Sequence, residues 1–161
     1  MAKPTKHATL ICTILTVLLI IGIILGYYFK NPIIAVALML PSVIYEAYRT
    51  EGKNTKWASS LMVLIIILEL IFIIFQINFN LAEYFQLEEV YLRGNIVPLA
   101  DIKIIAPTVL ALLSILLFTR TRGIYTKWLS IIIFLGSFSV VYLIDPEIFQ
   151  LLLKNGIENN I

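Results

Sequence analysis

The sequence predicts an all-α, polytopic membrane protein: a five-helix transmembrane bundle. Three observations carry that expectation. Of its 161 residues, 60% are hydrophobic, and mean hydropathy is +0.97; soluble domains are about 45–50% apolar. Several apolar runs reach or approach the ~20 residues that cross a bilayer as helix. None of them alternates apolar and polar residues in segments of about 10, as a β-barrel would.

The first helix is expected over about residues 9–29, after a short basic segment with Lys3 and Lys6. It is longer than the 7–15-residue apolar core of a cleaved signal peptide, so it reads as a retained span that also directs insertion. It ends Gly26-Tyr27-Tyr28-Phe29-Lys30, and the tyrosines fit an interfacial belt. Gly22 and Gly26 form a G-x-x-x-G pair, which lets another helix backbone approach. Asn31-Pro32 breaks this helix, and Pro32 suits the first turn of the second, about 33–48. Pro41 removes a hydrogen bond in its interior.

The third helix is expected over about 57–77, opened by Trp57. A long polar connection, 78–103, follows. Aromatic residues and leucines interleave from Phe79 to Leu92, which suggests a short helix on the membrane surface, and Gly94-Asn95 and Pro98 mark turns. The fourth and fifth helices are expected over about 104–119 and 128–144, the fifth opened by Trp128 and stopped by Asp145-Pro146.

Two polar loops join these helices, and they repeat. Residues 49–59 read RTEGKNTKWAS and residues 120–130 read RTRGIYTKWLS, so seven of eleven positions match at an offset of 71. A tandem parallel repeat of two-helix hairpins, 31–77 and 102–144, would account for this, with the first helix outside it. In these loops Gly52 and Gly123 suit a positive-φ helix terminator. Thr55 and Thr126 suit caps of the following helices. Arg49 and Arg120 end helices, where cations are favoured.

Charge gives the orientation. With five spans, one side holds Lys3, Lys6, Arg49, Lys53, Lys56, Arg120, Arg122 and Lys127. The other holds only Lys30, Arg93, Lys103 and Lys154 among its cations. The positive-inside rule then places the N-terminus in the cytoplasm and the C-terminus outside, and the isoleucine-rich composition suits a cell (inner) membrane. The basic loop residues Arg49, Lys53, Lys56, Arg120, Arg122 and Lys127 could grip anionic headgroups or an acidic partner.

Chemistry-bearing residues are few. One cysteine, Cys12, forbids an intrachain disulfide; one histidine, His7, leaves too few ligands for a zinc site. No phosphate-binding loop, nucleophile elbow or metalloprotease motif occurs, so no cofactor and no enzyme activity are expected. No basic block suits nucleic acid. Glu69 is the ionisable residue nearest the centre of an expected span. On a continued helix it would line up with Gln76 and Asn80, giving either an ion or proton site or a carboxyl hydrogen-bonded to a neighbouring helix. Glu46 and Arg49, three residues apart, suggest a local ion pair.

The functional expectation is a non-enzymatic membrane protein that works by helix packing or partner binding, as a subunit, accessory or protective protein. Its partners would be the bilayer and another membrane protein or a second copy of itself. The alternative is a small oligomeric transporter or channel with Glu69 in its pathway.

Overall fold

The computed structural model describes residues 7–77, 89–92, 95–98, 102–146 and 149–150. Its five long helices are α1 (Ala8–Phe29), α2 (Pro32–Arg49), α3 (Lys53–Ile74), α4 (Ile102–Arg120) and α5 (Ile124–Ile144). All five are long and apolar enough to cross a membrane. Only 28% of the α1 span and 44% of the α5 span are buried, so most of each helix faces outward. That outward surface is aliphatic: Leu10, Ile14, Ile24, Leu64, Leu112 and Leu135 are all exposed. Water would not tolerate so large an apolar surface on a lone soluble domain.

The helices neighbour one another in a ring. α2 packs on α3, α3 on α4, α4 on α5 and α5 back on α2, while α1 lies against α2 and α5. The buried face of α1 runs Ala8, Cys12, Leu15, Leu19, Gly22, Gly26, which is the three-and-four spacing of one helix face. The glycine pair is the seam between α1 and α2. A Cβ on Gly22 would lie 2.7 Å from the Leu38 Cβ, and one on Gly26 would lie 3.2 Å from the Ala35 Cβ. The G-x-x-x-G pattern therefore joins two helices of one chain.

Helix ends explain where the boundaries fall. α1 closes with Lys30 in the left-handed region (φ 49°), its N–H donating to the Tyr27 carbonyl while the Asn31 N–H donates to Gly26. Asn31 then caps α2, its side-chain oxygen accepting from the Ile33 N–H, with Pro32 as the first helical residue. One residue thus serves two helices. At the end of α3, Gln76 takes φ 50°; its N–H reaches the Ile73 carbonyl and the Ile77 N–H reaches Phe72. That pattern is a Schellman closure.

The two loops are shorter than the sequence suggests. Each is three residues, 50–52 and 121–123, because α3 begins at Lys53 and α5 at Ile124. Thr55 and Thr126 lie inside their helices rather than capping them: the Thr55 hydroxyl donates back to the Glu51 carbonyl at 3.1 Å. Gly52 and Gly123 precede helices as N-caps. Only Gly52 has positive φ (119°); Gly123 sits at −71°. Identical residues in the two loops thus adopt different backbones.

Burial nevertheless corresponds at the 71-residue offset. Ala58, Ser59, Met62, Ile66 and Glu69 of α3 are buried, as are Leu129, Ser130, Ile133, Ser137 and Val140 of α5. Ser59 and Ser130 make the same bond, each to the carbonyl four residues back. In the connection, Glu89–Leu92 (β1) and Asn95–Pro98 (β2) form an antiparallel hairpin, with Leu92 opposite Asn95. Extended chain thus replaces the surface helix there, where β-branched Val90, Ile96 and Val97 suit a strand. Residues 78–88 lie outside the described residues.

Candidate functional site

The buried ionisable groups among the described residues lie in two separate places. The first is where α1, α2 and α5 meet. On α2, the buried face runs Ala35, Val36, Met39, Ser42, Val43, Glu46, Arg49, so helical spacing carries a serine, a carboxylate and a guanidinium inward together. Glu46 is 0% exposed, Arg49 3% and Thr50 4%. The Thr50 hydroxyl donates to a Glu46 carboxyl oxygen at 2.7 Å, and the Thr50 N–H donates to the Glu46 carbonyl.

Arg49 turns the other way. Its guanidinium sits 5.1 Å from the centroid of the Tyr125 ring on α5 and 5.7 Å from that of Tyr45. Such cation–π contacts gain strength when desolvated. The Cys12 sulfur on α1 lies close enough to feel the Arg49 charge. The Arg49 Nε and Nη1, the second Glu46 oxygen and the hydroxyls of Ser42 and Thr126 have no hydrogen-bond partner among the described residues.

Arg49 is therefore not a loop cation: the Glu46 carboxyl takes its hydrogen bond from Thr50, while the guanidinium lies against the two tyrosines and acts on Glu46 as a neighbouring charge. At the 71-residue offset this cluster is absent: Leu117 stands where Glu46 does, and Arg120 is exposed. Two further bonds tie α1 to α5 beside it. Thr9 and Tyr125 share a hydroxyl–hydroxyl bond at 2.7 Å, and the Trp128 indole N–H donates to the Thr16 hydroxyl at 3.0 Å.

The second place is Glu69. It is fully buried on α3, engaged within the structure, and follows the buried stripe of Met62 and Ile66. It does not lie at mid-span. Sixteen residues separate it from Lys53 and five from Ile74, so it stands about 24 Å from one helix end and about 8 Å from the other. Gln76 does not continue its line, because α3 ends at Ile74 and Gln76 is turned out, exposed, in the left-handed cap. Asn80 lies outside the described residues.

Between Glu46 and Glu69 the buried core carries no charged side chain among the described residues; the hydroxyls of Ser59, Ser114, Ser130 and Ser137 there each donate back to a carbonyl of their own helix. Met39, Val43, Met62, Ile66, Leu110 and Ile133 are each 0–1% exposed. The two carboxyl groups lie about 20 Å apart along the bundle axis by helical rise.

The chain matches no known protein family, no curated protein and no solved structure.

The expected basic residues separate by environment. Lys53, Lys56, Arg120 and Arg122 are exposed, and Lys127 lies 5.4 Å over the Phe118 ring. All share the end of the bundle where Thr9 meets Tyr125. At the other end Tyr27 stacks on Tyr142 at 6.4 Å. Among the described residues no three His, Cys, Asp or Glu side chains gather as a metal site. The sequence could have disclosed the Glu46–Arg49 cluster, since the period of Ala35, Met39 and Ser42 extends to 46 and 49. Placing the end of the second helix at residue 48 hid it.

Proposed function

We propose that this chain is a multi-pass inner-membrane protein that acts without catalysis, through helix packing or binding of another membrane protein. A subunit, accessory or protective role fits. The observation that carries the reading is the arrangement of polar groups. The two buried carboxyl groups lie toward opposite ends of the bundle, and the layer between them is mostly aliphatic, with the hydroxyls of Ser59, Ser114, Ser130 and Ser137 each tied to a carbonyl of their own helix. A transport pathway needs ionisable groups, or polar groups not already used by their own helix, across that layer.

The basic end takes the cytoplasmic side by the positive-inside rule, with the N-terminus in and the C-terminus out. The tandem repeat fits the packing ring. Exchanging α2 with α4 and α3 with α5 turns the α2·α3 contact into α4·α5 and returns α3·α4 as α5·α2. A two-fold axis along the membrane normal has this property, and α1 stands outside it. The acids Glu46 and Glu69 both belong to the first repeat, whose counterpart positions carry Leu117 and Val140.

The competing reading, a small oligomeric transporter or channel, rests on Glu69 being a buried carboxyl group. Full-length protein reconstituted in liposomes separates the two. The packing reading expects no proton or cation flux, Glu69→Gln to change nothing in assembly, and a membrane protein or second copy to co-purify in mild detergent. Flux that Glu69→Gln abolishes, in protein that still assembles, would replace it with transport. Orientation is read from thiols at Lys53→Cys and Ile124→Cys, which should resist an impermeant reagent outside intact cells. Glu89→Cys and Glu147→Cys should react.

A further inference from the structure

Lys53, Lys56, Trp57 and Ser60 line one concavity on the outer face of α3. They follow the i, i+3, i+4, i+7 spacing, so they form one face over the first two turns. All four are exposed, Trp57 at 79%. Neither lysine has an ion-pair partner among the described residues; the nearest acid in sequence, Glu51, precedes the helix. Two cations in a first helical turn oppose the helix dipole, so the local energetics of α3 do not account for them.

Below the lysines the same face becomes aliphatic. Leu61, Leu64, Leu68 and Ile71 continue it down the helix, and all are exposed. The order along the face is cations, an indole at interfacial depth, a hydroxyl, then a strip of hydrocarbon. An anionic phospholipid has the same order, from phosphate through glycerol ester to acyl chain. A free phosphate would use only the upper half of this face, and an acidic soluble protein would leave the aliphatic strip unused.

The other hairpin supplies the contrast. At the matching positions it carries Ile124 in place of Lys53 and Ile131 in place of Ser60. Its Lys127 lies over Phe118, and its Trp128 is tied to Thr16. The first corner sets two exposed lysines and an exposed indole on one helix face, whereas the exposed cations of the second, Arg120 and Arg122, lie at a helix end and in the loop.

We propose that the Lys53–Lys56–Trp57–Ser60 face of α3 is a binding site for one anionic phospholipid of the cytoplasmic leaflet. This rests on the membrane reading above. The phosphate would sit between the two ammonium groups, Ser60 would donate to the ester region, and a chain would lie along Leu61, Leu64 and Leu68.

The test uses full-length protein with Trp128→Phe, leaving Trp57 as the one indole, in nanodiscs of phosphatidylcholine. Brominated phosphatidylglycerol or brominated phosphatidylcholine is added at equal mole fraction, and quenching of Trp57 is read. The expected result is roughly thirtyfold enrichment of the anionic lipid at Trp57, the scale set by two basic side chains at a membrane surface. Lys53→Gln with Lys56→Gln should abolish the preference, while Lys127→Gln should keep it. Equal quenching by the two lipids would overturn the site. So would a preference that survives the double substitution, or one that millimolar glycerol phosphate removes. Incorporation into the nanodiscs is scored separately. Protein that fails to incorporate overturns the membrane reading itself, whereas incorporation without lipid preference overturns only this site.

Discussion

Gly22→Ala should weaken the α1–α2 seam measurably. The added Cβ would sit 2.7 Å from the Leu38 Cβ and 3.2 Å from its Cδ1, where carbon atoms ordinarily rest about 3.5–4.0 Å apart. The Leu38 Cβ is fixed to its backbone, so no rotamer change relieves the clash. α1 must move off α2 by roughly 1 Å. One turn on, Gly26 has the Ala35 Cβ as its own close neighbour, so the shift loosens that contact too. Overpacking of this kind costs about 1–3 kcal/mol, and alanine's better helix propensity returns up to about 1. Because the obstruction is a backbone-tied atom, a net loss of about 1–2 kcal/mol is expected.

Gly136→Ala is the control. Its Cβ would meet the Met39 Sδ at 2.9 Å and the Leu19 Cδ1 at 3.0 Å, the far ends of flexible side chains that can swing aside. That variant should stay within about 0.5 kcal/mol of the parent. Equilibrium unfolding in mixed micelles, followed by circular dichroism as the denaturing detergent fraction rises, reads both. If Gly22→Ala is as stable as the parent, or Gly136→Ala is the weaker of the two, the assignment of the glycine pair to this seam is wrong.

The Arg49 cluster should behave as a unit. Arg49→Ala should cost about 3 kcal/mol by leaving Glu46 buried without its neighbouring cation, whereas Glu46→Leu combined with Arg49→Leu should recover most of that loss in the same unfolding assay. Cys12 is fully buried against Arg49, so a maleimide should leave it unmodified in mild detergent and label it on denaturation; rapid labelling of the folded protein would contradict the packing of α1. Gln76→Gly should stabilise α3 by about 1 kcal/mol, because glycine takes the left-handed cap without a Cβ penalty. A loss of stability there would mean that the Gln76 side chain has work of its own.

Hydropathy and loop chemistry determined the number of helices, their order and the basic end. Each depends on short-range properties: the length of an apolar run, a proline that cannot continue a helix, a lysine beside an interfacial indole. Helix starts were misplaced because polar residues do not end a helix; Lys53 and Ile124 enter their helices a turn before the tryptophans do. The line through Glu69, Gln76 and Asn80 assumed a helix that the αL cap at Gln76 had already closed.

The tertiary structure alone decided what each polar group faces. Arg49 and Arg120 occupy equivalent sites in nearly identical stretches, yet one is enclosed by Tyr45, Tyr125 and Cys12 while the other stays exposed. α1 makes that difference. It packs over the seam between α2 and α5, where Arg49 lies, and not over the matching seam between α3 and α4, where Arg120 lies, and no local pattern in a sequence says on which side of a near-symmetric ring an extra helix will lie.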